Sequence, residues 1–285
     1  MSSMENIKKY AGVAVLLVAL GGIVLLANAA QSRHSSVEPR TQLQASVDIP
    51  VSWGDLGAQL VVLGVIDKTK FCALYASRPD LANDLQQLAY GTTTGDLVVT
   101  PDNAGLVLNL LWAFGLANKN PILEDKTQMM NPSYGGAGGF ASTGGWTLAK
   151  GDAMTHYDKH ALIQLTAAEQ ATVDRVAANI YRPCCDNPTH FPDCNHGMAM
   201  LGLLELMAKA GVSEPDMYRY ALRVQALWFP QEYATIERYL ESRGSSLAAA
   251  DPKEVLGKRY SSASGYAAIQ AQVQPQGGSG AQCSV

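Results

Sequence analysis

Residues 104–117, AGLVLNLLWAFGLA, carry no charge and are apolar on every side when wound as a helix. Such a helix has no face to offer to water, so other elements must enclose it. At 14 residues it is too short to cross a bilayer, which takes about 20. The chain is therefore expected to build a core around this segment, with Asp102 or Asn103 as its N-cap.

The surrounding sequence reads as an all-α, multi-helix domain over 51–270, with 51–150 and 151–270 as possible halves. Leu56, Leu60, Val61 and Val65 recur at helical spacing and predict a helix over 55–67. Ser77-Arg-Pro-Asp80 opens another over 79–89, GTTTGD at 91–96 is a turn, and 98–101 is short and extended or leads into the central helix. A helix is predicted over 152–162. Thr166-Ala-Ala-Glu169 is a capping box that starts a helix ending near Tyr181, before Pro183. Further helices are predicted over 196–210, closed by Gly211, from Ser213 to 228, and from Pro230 to 243 before Gly244. Asp251 opens a short last one. Residues 131–151 form a glycine-rich loop, either a structural crossing or a ligand-facing segment. A phosphate loop is excluded there, because Lys150 is followed by Gly151 and not by Ser or Thr. The tail, 271–285, reads as disordered.

The N-terminus sets the expected compartment. Lys8 and Lys9 precede an uncharged run, Tyr10 to Ala30, long enough for a single membrane-spanning helix with a cytoplasmic N-terminus. The competing reading of 1–30 is a signal peptide cleaved after Ala27-Asn28-Ala29. Either way a polar linker, 31–50, leads to a domain outside the cytoplasm, periplasmic or at the cell surface. Charged residues are only 16% and the formal charge is −4. The first excludes a charged, disordered chain, and the second argues against a nucleic-acid partner. The expected partners are the membrane itself and a protein of the envelope.

The chemistry concentrates in one loop. Three of the five cysteines and two of the five histidines fall within Cys184 to His196: Cys184, Cys185, His190, Cys194 and His196. Pro183, Pro188 and Pro192 stiffen the segment, which lowers the entropy lost in holding ligands. Three thiols and an imidazole make a tetrahedral donor set for a soft or borderline metal, zinc or copper. Cys194 and His196 stand at a helix start, where free N–H groups favour thiolate. Met198 and Met200 follow, and thioether donors would favour Cu(I). The spacing, C-C-x8-C-x-H, matches neither the paired C-x2-C zinc pattern nor the C-x-x-C-H haem attachment signal.

The stretch Cys185-Asp-Asn-Pro-Thr-His-Phe-Pro-Asp-Cys194 resembles part of the CDGSH iron–sulfur family. It has that family's gap between the second and third cluster cysteines and the proline two before the latter. The resemblance implies an iron–sulfur centre. It covers about a dozen residues, and the family's first cysteine and its histidine fall on Pro183 and Met198.

Two other readings of the loop stay open. In an oxidising compartment Cys194 could pair with Cys184 or Cys185 as a staple, leaving a thiol for Cys72, or the thiols could be redox-active. A second histidine pair, His156 and His160, is four apart; on a helix both would share one face and could join the same metal. Tyr157 stands where a zinc protease has its Glu, which excludes that class. The leading expectation is a membrane-anchored metal-binding protein with Cys184, Cys185, Cys194 and His196 as ligands and His190, His156 and His160 as further candidates. The alternatives are a thiol oxidoreductase or metalloenzyme, and a disulfide-stapled accessory subunit. Glu169, Glu205 and Asp174 read as solvated helix faces, and the four tryptophans as packing residues.

Overall fold

A computed structural model describes residues 45–273. The order is β1 (Val47–Ile49), α1 (Leu56–Leu63), α2 (Lys68–Leu74), β2 (Leu97–Val99), α3 (Ala104–Ala117), α4 (Ala167–Ala177), α5 (Asn195–Lys209), α6 (Glu214–Trp228), α7 (Pro230–Ser242), α8 (Pro252–Leu256), α9 (Lys258–Ser261) and α10 (Ala263–Val273). Helix accounts for 54% and strand for 4%, an all-α architecture. The predicted membrane segment, most of the linker and nearly all of the tail, with Cys283, lie outside the described residues. Among the described residues no helix is long and apolar enough to cross a membrane.

The apolar segment is a helix over its whole length, with eleven of its residues buried. It crosses α5 at glycines that let the backbones touch. A Cβ on Gly115 would lie 2.3 Å from the carbonyl oxygen of Met198, and one on Gly202 would lie 2.8 Å from that of Leu111. The predicted halves thus meet in one core, since α3 comes from the first and α5 from the second. The four tryptophans pack as expected, each indole N–H on a carbonyl: Trp53 on Leu88, Trp112 on Ser142, Trp146 on Val65 and Trp228 on Ala104.

Several helices form where local signals placed them. At α4 both halves of the Thr166–Glu169 capping box are made. At α6 the Ser213 side chain accepts from the Asp216 N–H. Gly211 and Gly244 close α5 and α7 at φ +75° and +76°.

Other segments differ from expectation. The 55–67 helix stops at Leu63 because Gly64 turns left-handed at φ 81°, and Asp67 then caps a separate α2 by accepting from the N–H groups of Thr69 and Lys70. The 79–89 segment is broken into a 3-10 turn, one α turn and a π turn. Val47–Ile49, at the end of the predicted linker, is β1, paired antiparallel with β2 in the register Val47 to Val99 and Ile49 to Leu97. The 152–162 helix does not form. Its only helical part is a 3-10 turn, Ala153–Thr155, and Asp158 sits at φ 55°. The glycine-rich loop packs onto the core. It buries Trp146, Ser142 and Thr143, and the Lys70 ammonium holds it through the carbonyls of Thr147 and Ala149.

Candidate metal centre

The cysteine loop spans α4 and α5 and is fastened at both ends. The Tyr181 N–H donates to Leu256 O, and the Gln225 side chain donates to Tyr181 O. Thr189 folds back onto Ile180 O through both its N–H and its hydroxyl. The Cys185 N–H donates to Arg182 O, and Cys185 O accepts from the Ala263 N–H. Asp186 is used as a cap, its Oδ1 accepting from the N–H and hydroxyl of Ser264 at the start of α10. Cys194 is the N-cap of α5, and its sulfur accepts from the Gly197 N–H.

These constraints bring the sulfurs together. Cys184 Sγ lies 3.3 Å from Cys185 Sγ, 3.6 Å from Cys194 Sγ and 4.0 Å from His196 Nδ1. Two overlapping triads result, Cys184/Cys194/His196 and Cys185/Asp193/Cys194, each with its ligand atoms within 4.8 Å of one another. This Cys/His cluster could hold a metal ion. The His196 ring is seated on Phe229, with centroids 4.3 Å apart. Cys184 is exposed, and Cys185 and Cys194 are half-buried.

Arg182 organises the loop, and the cysteine–histidine spacing gave no sign of it. Its side chain is 1% exposed and pairs with Asp193 at 2.6 Å. It donates to Cys194 Sγ at 3.0 Å, to Asn187 O at 2.8 Å and to Phe191 O at 3.3 Å. Asn187 donates in turn to the second oxygen of Asp193. Gly197 makes the room, since a Cβ there would lie 2.7 Å from the guanidinium carbon. Asp193 is therefore engaged through both carboxylate oxygens, which leaves the sulfurs and His196 as the candidate ligands.

The charge pattern follows from these bonds. Thiol donation from Cys184 and Cys185, helped by His196 and Arg182, holds the Cys194 thiol far below its ordinary value despite burial. Donation to Cys185 and Cys194, with burial, holds Cys184 far above. For Cys185 the bond with Cys184 pulls down, but the bond with Cys194 and burial outweigh it and push the thiol up to about 11. Burial works against the charge on Arg182, and the sulfurs and Asp193 more than offset it.

The remaining candidates lie elsewhere. His190 faces Gln128 at 3.3 Å and Asp174 at 3.9 Å and belongs to neither triad. Met198 and Met200 are packed in the core at 0% and 1% exposure, so neither offers a thioether, and the histidine position of the iron–sulfur pattern is filled by core. Cys72 contacts the Tyr90 hydroxyl at 3.0 Å and is not joined to the loop. His156 and His160 do meet, Nδ1 to Nε2 at 3.1 Å, but through a turn rather than a helix face. His160 bridges to Asn118 just beyond α3, and the pair does not converge with the cysteines.

Glu205 is not a solvated face. It is fully buried on α5, its two oxygens accepting from the side-chain amides of Asn118 and Asn120 at 2.7 Å each. Burial, against those two hydrogen bonds, raises its pKa to about 8. No family model, no curated protein and no solved structure matches this chain.

Proposed function

We propose that this chain is a membrane-held, extracytoplasmic protein that binds one soft or borderline metal ion in the loop 184–196, for metal handling or as a structural metal in an envelope assembly. The observation that carries the reading is the convergence of Cys184, Cys194 and His196. Around a tetrahedral zinc, sulfurs at about 2.3 Å stand about 3.8 Å apart. Cys184 and Cys194 are already at 3.6 Å, so they need little movement to take up an ion. Cys185, in the second triad, supplies the fourth donor. A closed Cys3His set leaves no position for substrate, which suits a structural or carried metal better than a catalytic one. The burial of Met198 and Met200 favours zinc over copper(I), because the thioethers that would select copper are absent from the site. The apolar run Tyr10–Ala30 after Lys8 and Lys9 supports the location.

The test is the metal content of the full chain purified in detergent, with a free-thiol count. About one zinc per chain, lost in Cys194→Ser and kept in Cys72→Ser, is expected. Metal-free protein that takes up neither zinc nor copper would overturn the reading.

A further inference from the structure

We infer that Cys184 and Cys194 are also a thiol–disulfide exchange pair, so that a low-molecular-weight disulfide oxidises them to a bond between these two sulfurs and ejects the metal. The release step rests on the metal reading above; the pairing does not.

The choice of partners comes from geometry. The closest pair is Cys184 and Cys185 at 3.3 Å, but they are adjacent in sequence. Their Cα atoms are about 3.8 Å apart across a trans peptide, below the ~4.4 Å that a disulfide usually needs. Cys184 and Cys194 are ten residues apart, with sulfurs at 3.6 Å. Their approach requires movement of Cys184, the exposed member, which sits inside the turn from Arg182 to Cys185. Cys185 is held through both its N–H and its carbonyl. Cys184 is also the sulfur an outside reagent meets first. Cys194 waits behind it, its sulfur accepting from Arg182 and Gly197.

Cys184, a thiolate when it ligates zinc and losing its proton to solvent in the metal-free chain, attacks one sulfur of the reagent through its own sulfur and expels the first thiol. The Cys194 sulfur then attacks Cys184 Sγ and expels the second. Two cysteine sulfurs are oxidised and the reagent's disulfide is reduced to two thiols. In the metal-free chain these take up the Cys184 proton and one from solvent, because Cys194 is already the thiolate; when zinc occupied the site both protons come from solvent. The ion loses two sulfur ligands at once, and Cys185 stays a free thiol.

The experiment treats the full chain, zinc-loaded and metal-free in parallel, with oxidised glutathione. Free thiols are then alkylated and the linkage is mapped by fragment-ion mass spectrometry, with released zinc read by a chromogenic chelator. The expected result is a Cys184–Cys194 link with Cys185 alkylated, one zinc released per link, and reversal by dithiothreitol. Cys185→Ser should form the same link, whereas Cys184→Ser should not release zinc through one. A Cys185–Cys194 or Cys184–Cys185 link, no link, or a link with zinc retained would overturn the inference. Failure of the reduced protein to bind zinc would instead overturn the metal reading, because the pairing is also read on the metal-free sample.

Discussion

Arg182 donates from Nε to the sulfur of Cys194 across 3.0 Å, with its side chain 1% exposed. A buried guanidinium needs an anionic partner, and here it has two, the Cys194 sulfur and the Asp193 carboxylate. The same contact orders the loop, because the remaining N–H groups of Arg182 hold the carbonyls of Asn187 and Phe191.

Removing this cation should therefore be felt in both stability and metal binding. Arg182→Met is expected to lose about 3 kcal/mol in urea unfolding, the scale for breaking a buried pair from one side. Zinc affinity in a competition titration should fall ~10- to 100-fold, as for lost outer partners of metal ligands. Arg182→Lys should rescue little, since a single ammonium cannot reproduce the guanidinium fork.

The space that Gly197 leaves for Arg182 gives a second test. Gly197→Ala pushes a methyl to 2.7 Å from the guanidinium and should destabilise by about 1–3 kcal/mol, against the usual gain from Ala in a helix. Gly105 on α3 is the control, with open space around it. Gly105→Ala should stabilise by up to about 1 kcal/mol. Both are read from denaturant midpoints.

Glu205 makes stability depend on pH. Its folded pKa, about 8, lies above that of an exposed glutamate. Between the two values the folded state binds the extra proton, so this group's contribution is full below the unfolded pKa and is lost as pH rises through about 8. The loss should be on the order of 4 kcal/mol. Unfolding in urea at pH 5 and pH 8.5 should show a larger drop for the wild type than for Glu205→Gln, which cannot titrate. Equal drops would contradict the assignment.

The histidine pair supplies a negative control for the metal site. Replacing His156 or His160 with Gln should leave zinc stoichiometry and affinity within about twofold of the wild type, because neither ring joins a triad. A large loss would place them at the metal after all.

Much of the helical framework was legible because its signals are local. The Thr166–Glu169 box, Ser213 before α6 and Gly211 after α5 each act within a few residues. The 104–117 helix was legible because nothing polar competes with burial. What failed depended on distant partners or on a broken period. β1 has three residues, and its partner lies some fifty positions on. Glu205 reads as surface until Asn118 and Asn120, more than eighty residues away, meet it. His156 and His160 have helical spacing, but the chain there turns through Asp158 at φ 55°. In the site itself Cys184, Cys185, Cys194 and His196 were found by their clustering. His190 was included because proximity in sequence does not report which way a loop residue faces. Arg182 was missed because an arginine before a proline carries no metal signature. The only hint was Gly197, a glycine in the first turn of a helix, where a larger residue would collide with it.

The most direct measurement is the X-ray absorption spectrum at the zinc edge of the metal-loaded chain. The proposed site requires three sulfurs at about 2.3 Å and one nitrogen at about 2.0–2.1 Å, with one sulfur lost in Cys184→Ser and the nitrogen lost in His196→Ala. A shell of nitrogen and oxygen alone, or one unchanged by either substitution, would contradict it.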